Sequence, residues 1–183
     1  MKIATEVFTT KKNQTVTLRA PVLADAGALR QLMVGIAETA PYIASTAEDI
    51  RARAVDAEEK WVEKYNSDAR SMIIVAEVDG QIVGNLEFSG GTRSKTLHLG
   101  HLGMGVSPGM RGHGIGELLL KKLFAEASRI EGLTQIELSV MHPNVPAHNL
   151  YKKVGFQDCG RKPNAFRLED GTWADEVAMF ATL

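Results

Sequence analysis

The stretch Val106-Ser107-Pro108-Gly109-Met110-Arg111-Gly112-His113-Gly114-Ile115-Gly116 decides how this chain is read. A strand-like segment leads into it and an apolar-periodic helix leads out. Gly112, Gly114 and Gly116 leave little side-chain bulk, so backbone amides can close on an anion while the helix adds its positive dipole end. The ligand that suits such a turn carries a pyrophosphate. A tight strand-to-helix connection with no ligand would use the same residues, and the surrounding sequence has to decide between them.

Working backwards, Leu97 to Val106 reads as a strand with Leu102, Met104 and Val106 on one face and His101, Gly103 and Gly105 on the other. The glycine face is bare enough to mark a bulge or a ligand lying along the backbone. Before it, Met72 to Val78 and Gln81 to Phe88 flank Asp79-Gly80, a pair that supplies the positive φ angles of a two-residue hairpin turn. Thr15 to Arg19 reads as a strand. Asp25 is expected to cap a helix carrying Leu29, Leu32, Met33 and Ile36, closed by Pro41, and one further helix is expected from about Thr46 to Tyr65.

Working forwards, Ile115, Leu118, Leu119, Leu123, Ala127 and Ile130 recur at helical spacing up to Gly132. Thr134 to Met141 alternates like a strand, Pro146 to Val154 suits a short helix ended by Gly155, and Ala165 to Glu169 with Thr172 to Phe180 forms a second hairpin around Asp170-Gly171. No long linker, low-complexity tract or repeat interrupts this order.

A chain of 183 residues, 44% hydrophobic, suits one domain over residues 15–183, with 1–14 as a flexible lead-in. A net charge of −1 gives no basic surplus for nucleic acid. Cys159 is the single cysteine, so no internal disulfide is possible, and the start of the chain lacks the apolar run of a signal peptide or spanning helix. A cytoplasmic protein without a membrane partner is expected. Spacings typical of metal ligands are absent.

Two nucleotide motifs do not fit. Gly116 is followed by Glu117 and Leu118, where an NTPase phosphate loop needs lysine and a hydroxyl residue. A dinucleotide fingerprint needs glycine where Glu117 stands. Instead, Val106-x-Pro108 followed by Arg111-Gly112-x-Gly114-Ile115-Gly116 resembles the acetyl-CoA signature of the GNAT superfamily of N-acetyltransferases. Downstream, Asn144-Val145-Pro146-Ala147-His148-Asn149-Leu150-Tyr151-Lys152-Lys153-Val154-Gly155-Phe156 is similar to that superfamily's second block, N-x-x-A-x-x-L-Y-x-K-x-G-F.

The resemblance implies an α/β fold: a single-domain GNAT-like architecture with a twisted, mostly antiparallel mixed sheet flanked by helices, open between the Leu97–Val106 and Thr134–Met141 strands. It implies acetyl-CoA as the acyl donor in that opening. Backbone at Met104, Gly105 and Val106 would pair with the pantetheine arm. Amides of Arg111, Gly112, His113, Gly114, Ile115, Gly116 and Glu117 would hold the pyrophosphate, and Asn144 would touch the arm where the strands part. Tyr151 would serve as general acid, its ordinary pKa near 10 keeping a proton for the departing thiolate.

Transfer to nitrogen needs a neutral amine. An amine of pKa about 10.4 is almost wholly protonated at pH 7, whereas an α-amine near 8 is about a tenth neutral. Glu87 and His101 are the two candidate bases, acting directly or through water, with Glu137 and His142 as weaker ones. Cys159, without a convergent base, reads as packing rather than a nucleophile, so direct transfer in a ternary complex is expected. The acceptor implied is a small-molecule primary amine. Protein N-termini or lysines, or a non-catalytic acyl-CoA-binding module, remain open. Its pocket is expected from residues 38–68 and 169–173, with Tyr42, Trp61 and Trp173 as candidate lining, and the family resemblance suggests a homodimer through the tail strands.

Overall fold

The computed structural model describes residues 3–10 and 12–183 and begins with an antiparallel pair, β1 (Glu6–Thr9) on β2 (Thr15–Arg19). The stretch expected as lead-in therefore contributes a strand, while its residues 1, 2 and 11 lie outside the described residues. A short turn leads to α1 (Ala26–Ala37), followed by α2 (Ala47–Arg51) and α3 (Ala57–Ser67). Then come β3 (Ser71–Val78), β4 (Gln81–Gly90), β5 (Leu99–Val106), α4 (Ile115–Ala127), β6 (Gln135–Met141), α5 (Val145–Lys153), β7 (Gln157–Arg167) and β8 (Trp173–Thr182).

The eight strands form one sheet in the order β1-β2-β3-β4-β5-β6-β8-β7. Every pairing is antiparallel except β5 with β6, which gives the open, mostly antiparallel mixed sheet expected. Asp79 at φ 49° and Gly80 at φ 76° make the predicted turn between β3 and β4. On one sheet face, Leu119, Leu120 and Leu123 of α4 pack with Ile74, Leu86, Phe88 and Ile136, all fully buried. Each such side chain contributes roughly 1.5–3 kcal/mol by leaving water. On the other face Leu29 of α1 and Val62 of α3 cover Ile73 and Val75.

Charge pairing overrides two local expectations. Asp25 precedes α1 but makes no side-chain cap; Arg19 takes both its oxygens, at 2.6 and 3.0 Å, and the Val22 amide donates to it at 2.7 Å. The Arg19 guanidinium holds the Asp25 carboxyl below the usual carboxylate range. The single helix expected over 46–65 is broken at residues 52–56, because Arg30 of α1 donates to the carbonyls of Arg53 and Ala54 at 2.8 and 2.9 Å. The same guanidinium meets the buried Glu58 at 2.9 Å. The tail hairpin is longer than its alternation indicates, since β7 starts directly after the second motif block. No described helix is long and apolar enough to cross a membrane.

Candidate active site

Strands β5 and β6 run side by side for three rungs only, Leu99 with Gln135, Gly100 with Ile136 and His101 with Glu137, and then part. The Gly91 amide donates to the Leu99 carbonyl and the Ser107 amide to the Val83 carbonyl, so odd-numbered residues of β5 exchange hydrogen bonds with β4. The alternation turns the peptide groups of Met104 and Val106 toward the opening, whereas Gly105 turns its own toward Asn85. The bare side of β5 is not vacant. A Cβ on Gly105 would lie 2.7 Å from Ile36 Cδ1, and one on Gly103 would lie 3.1 Å from Glu87 Oε1.

A cavity of about 630 Å³ fills the opening. Its walls are the end of β5 from Met104, the glycine loop through Glu117, the α5 side from Asn144 to Lys153, and the segment following α1 from Thr39 to Ile43. Of the residues singled out in the sequence, Met104, Gly105, Val106, Arg111, Gly112, Gly114, Ile115, Gly116, Glu117, Asn144 and Tyr151 all border it. His113 does not: its Nδ1 sits 3.0 Å from the Arg111 carbonyl.

The loop has the features of an anion cradle. Gly112 and Gly114 take φ 75° and 86°, values that side chains rarely adopt, and Gly114 caps α4 with no side-chain acceptor. The first intrahelical bond runs from the Leu118 amide to the Gly114 carbonyl, leaving the amides of Ile115, Gly116 and Glu117 without an acceptor among the described residues. These residues fit the pyrophosphate of acetyl-CoA. The Glu117 carboxyl is gripped by Lys121 at 2.9 Å and by Lys153, which hold it down at about 2. Leu150 and Lys153 belong to the second motif block, and Thr39 to Ile43 fall within the 38–68 stretch expected to line an acceptor pocket, but they border the same cavity as the glycine loop.

Tyr151 is 8% exposed, and burial pushes its phenol up to about 12. Tyr151 borders the cavity beside Leu150 and Gly116. Asn144 uses Oδ1 to cap α5 by accepting from the Ala147 amide at 3.3 Å. Arg111 reaches from the loop to the Val106 carbonyl and to the Thr39 hydroxyl, both at 3.3 Å, and so links β5 to the end of α1.

The two candidate bases lie apart. The half-buried Glu87 accepts from Trp61 Nε1 at 3.0 Å, and burial raises its carboxyl. It anchors α3 to the sheet and does not border the large cavity. His101 is exposed and borders a second cavity of about 370 Å³ together with Leu102, Glu137, Ser139 and Cys159. His142 is exposed on the loop after β6, where its amide donates to the Asp175 carbonyl. Cys159, read from sequence as packing, is exposed. Tyr42 borders the large cavity; Trp61 is spent on Glu87, and Trp173 is 59% exposed at the start of β8, away from both cavities.

Comparison with known proteins agrees with this geometry. The profile described as Acetyltransferase (GNAT) family matches residues 38–156. The chain is 27% identical over 121 residues to the L-amino acid N-acetyltransferase AaaT of Escherichia coli (strain K12), a match covering 65% of this chain and 73% of that one. Its fold is similar to that of an acetyltransferase of the GNAT family from Streptococcus pneumoniae, with a TM-score of 0.87 at 22% identity over 92% of this chain and 99% of the other. It is similar too to yncA from Salmonella typhimurium, solved with its cofactor acetyl-CoA, at a TM-score of 0.80 and 22% identity over 92% and 94% of the two chains.

Proposed function

The chain belongs to the acetyltransferase (GNAT) family and is an acetyl-CoA-dependent N-acetyltransferase; from that premise we propose that its acceptor is the primary amine of a small molecule, an amino acid or a polyamine. The observation that carries this reading is the pair of cavities placed along β5, one bordered by Met104 and the other by Leu102, two residues apart on the strand. The first has the length of wall and the free amides that a coenzyme arm needs. The second, about 370 Å³, lies at the low end of small-molecule sites and suits an amine of amino-acid size. The relative AaaT, named for L-amino acids, supports the same acceptor class.

When bound, acetyl-CoA supplies its acetyl group as a thioester, so that a carbon–nitrogen bond forms as the carbon–sulfur bond breaks. The amides of Ile115, Gly116 and Glu117, with Arg111, hold the phosphates, and Met104 and Val106 present peptide groups to the arm. His101, bordering the acceptor cavity, takes the proton of the ammonium directly or through water and passes it to solvent. Glu87 is the less favoured base because Trp61 already occupies it. Once the carbon–nitrogen bond has formed, the nitrogen gives up a second proton to solvent, while Tyr151 gives its proton to the departing sulfur and recovers one from solvent, so that one proton is released overall. The reaction needs no acyl-enzyme.

A homodimer through the tail belongs to the same reading, supported by β7, whose outer edge is free in the sheet order. So does a cytoplasmic setting, in keeping with the one unpaired cysteine. The test is thiol release from acetyl-CoA with the standard L-amino acids, spermidine and a hexapeptide bearing a free N-terminus. Turnover of an amino acid or spermidine is the expected result. Turnover of the peptide alone overturns the small-molecule reading.

A further inference from the structure

We propose that Glu137 is a positioning residue for His101: held by Gln135, it keeps the imidazole proton on Nδ1 and leaves Nε2 as the proton acceptor at the second cavity. This rests on the reading of His101 as the base. Gln135 Nε2 donates to Glu137 Oε1 at 2.7 Å, so one carboxylate oxygen is fixed along β6. The other, Oε2, faces His101 Nδ1 at 3.6 Å. That separation exceeds a hydrogen bond, and a small rotation of the exposed imidazole closes it while Gln135 keeps the carboxylate in place.

The placement is not accidental to the sheet. His101 and Glu137 form the last paired rung before β5 and β6 part, and parallel partners on one rung point to the same face. Both therefore border the second cavity, and Met104, three residues after His101 on the same strand, borders the first. Nε2 of His101 has no hydrogen-bond partner among the described residues. As the imidazole accepts the ammonium proton, the Glu137 carboxylate offsets the new positive charge; the amine is left neutral, and the proton later passes to water. The other ionisable groups on this side include Glu87, two rungs along on β4, with Arg53 and Lys64, whose charges act on it; Tyr65 of α3, which reaches Ser89 and Glu87; Glu176 of β8 and Lys162 of β7, farther along the same face; and Cys159 of β7.

The experiment combines imidazole nitrogen NMR on the intact protein saturated with CoA and pH profiles of kcat/KM, using the fastest L-amino acid of the panel above as acceptor. Wild-type His101 is expected mainly as the Nδ1–H tautomer. Glu137→Gln is expected to shift it toward Nε2–H and lower kcat at least about tenfold with an unchanged KM for acetyl-CoA. The loss of kcat/KM should appear across the whole profile. Gln135→Leu should produce a weaker form of the same changes, and Glu137→Asp should rescue part of the loss. A wild-type Nε2–H tautomer, or Glu137→Gln with the tautomer and kcat unchanged, overturns the proposal. His101→Asn separates the two readings. If that variant retains full activity, the assignment of the base fails as well; if it is inactive while Glu137→Gln is not, only the role of Glu137 fails.

Discussion

A Cβ placed on Gly116 would lie 2.8 Å from Leu150 Cδ2 and 3.2 Å from Met104 Cε. The two motif blocks, 34 residues apart at these positions, thus meet across the cavity. Gly116→Ala should push α5 away from α4 and weaken acetyl-CoA binding about tenfold, roughly 1.4 kcal/mol. Titration calorimetry checks it. Because the obstacle is the end of a side chain, Gly116→Ala with Leu150→Ala should recover most of the affinity.

Tyr151→Phe should lower kcat by about 10²- to 10³-fold while leaving the acetyl-CoA Kd within about twofold. Burial pushes the phenol up to about 12, so the hydroxyl keeps its proton throughout the working range. Any loss of kcat in the wild-type enzyme between pH 8 and 10 should therefore not come from this group. A pH–rate series on both proteins decides this.

Lys121 and Lys153 hold Glu117 at about 2, below its ordinary 4.5. The pairing thus stabilises the folded chain above pH 4.5, and that contribution is lost as pH falls toward 2. Glu117→Gln should flatten the stability curve in that window, as acid titration followed by circular dichroism would show. The same change frees two ammonium groups beside the phosphate cradle, so CoA should bind about threefold more tightly at low ionic strength, with the gain fading at high salt.

Lys122 and Glu126 of α4 are buried, each side chain 2% exposed, and Lys122 Nζ lies 2.8 Å from Glu126 and 2.6 Å from Glu6 of β1. Removing Glu126 leaves the buried Lys122 ammonium with only the more exposed Glu6 to offset it. Glu126→Ala should cost about 2–3 kcal/mol, below the roughly 3–5 kcal/mol of a fully unpaired buried charge because Glu6 remains, whereas Lys122→Met with Glu126→Met should cost less. Urea denaturation of the two variants makes the comparison.

The loop at Gly112–Gly116, the Asp79-Gly80 turn and the alternation of β5 were legible because each rests on neighbours within a few residues. The sites around Asp25 and residues 52–56 were not. There, a capping signal and a helical composition gave way to Arg19 and Arg30, guanidiniums whose partners are scattered along the chain. Most of the residues expected around the opening do border it, since both blocks are contiguous runs; the departures from expectation are His113, turned out of the cavity, and the peptide group of Gly105, which turns to Asn85 instead of the opening.

What residue order alone determined is most of the elements, β1 and the break between α2 and α3 excepted, together with the glycine loop and the tyrosine near it, because backbone freedom, turn chemistry and apolar period act over short spans. Folding had to settle which carboxylate and which histidine face open space. Glu87 and His101 occupy strands of equal promise in the sequence, yet Trp61 from α3 claims the first, while the parting of β5 from β6 leaves the second at a cavity beside Glu137. Register and long-range contact, not local preference, make that choice.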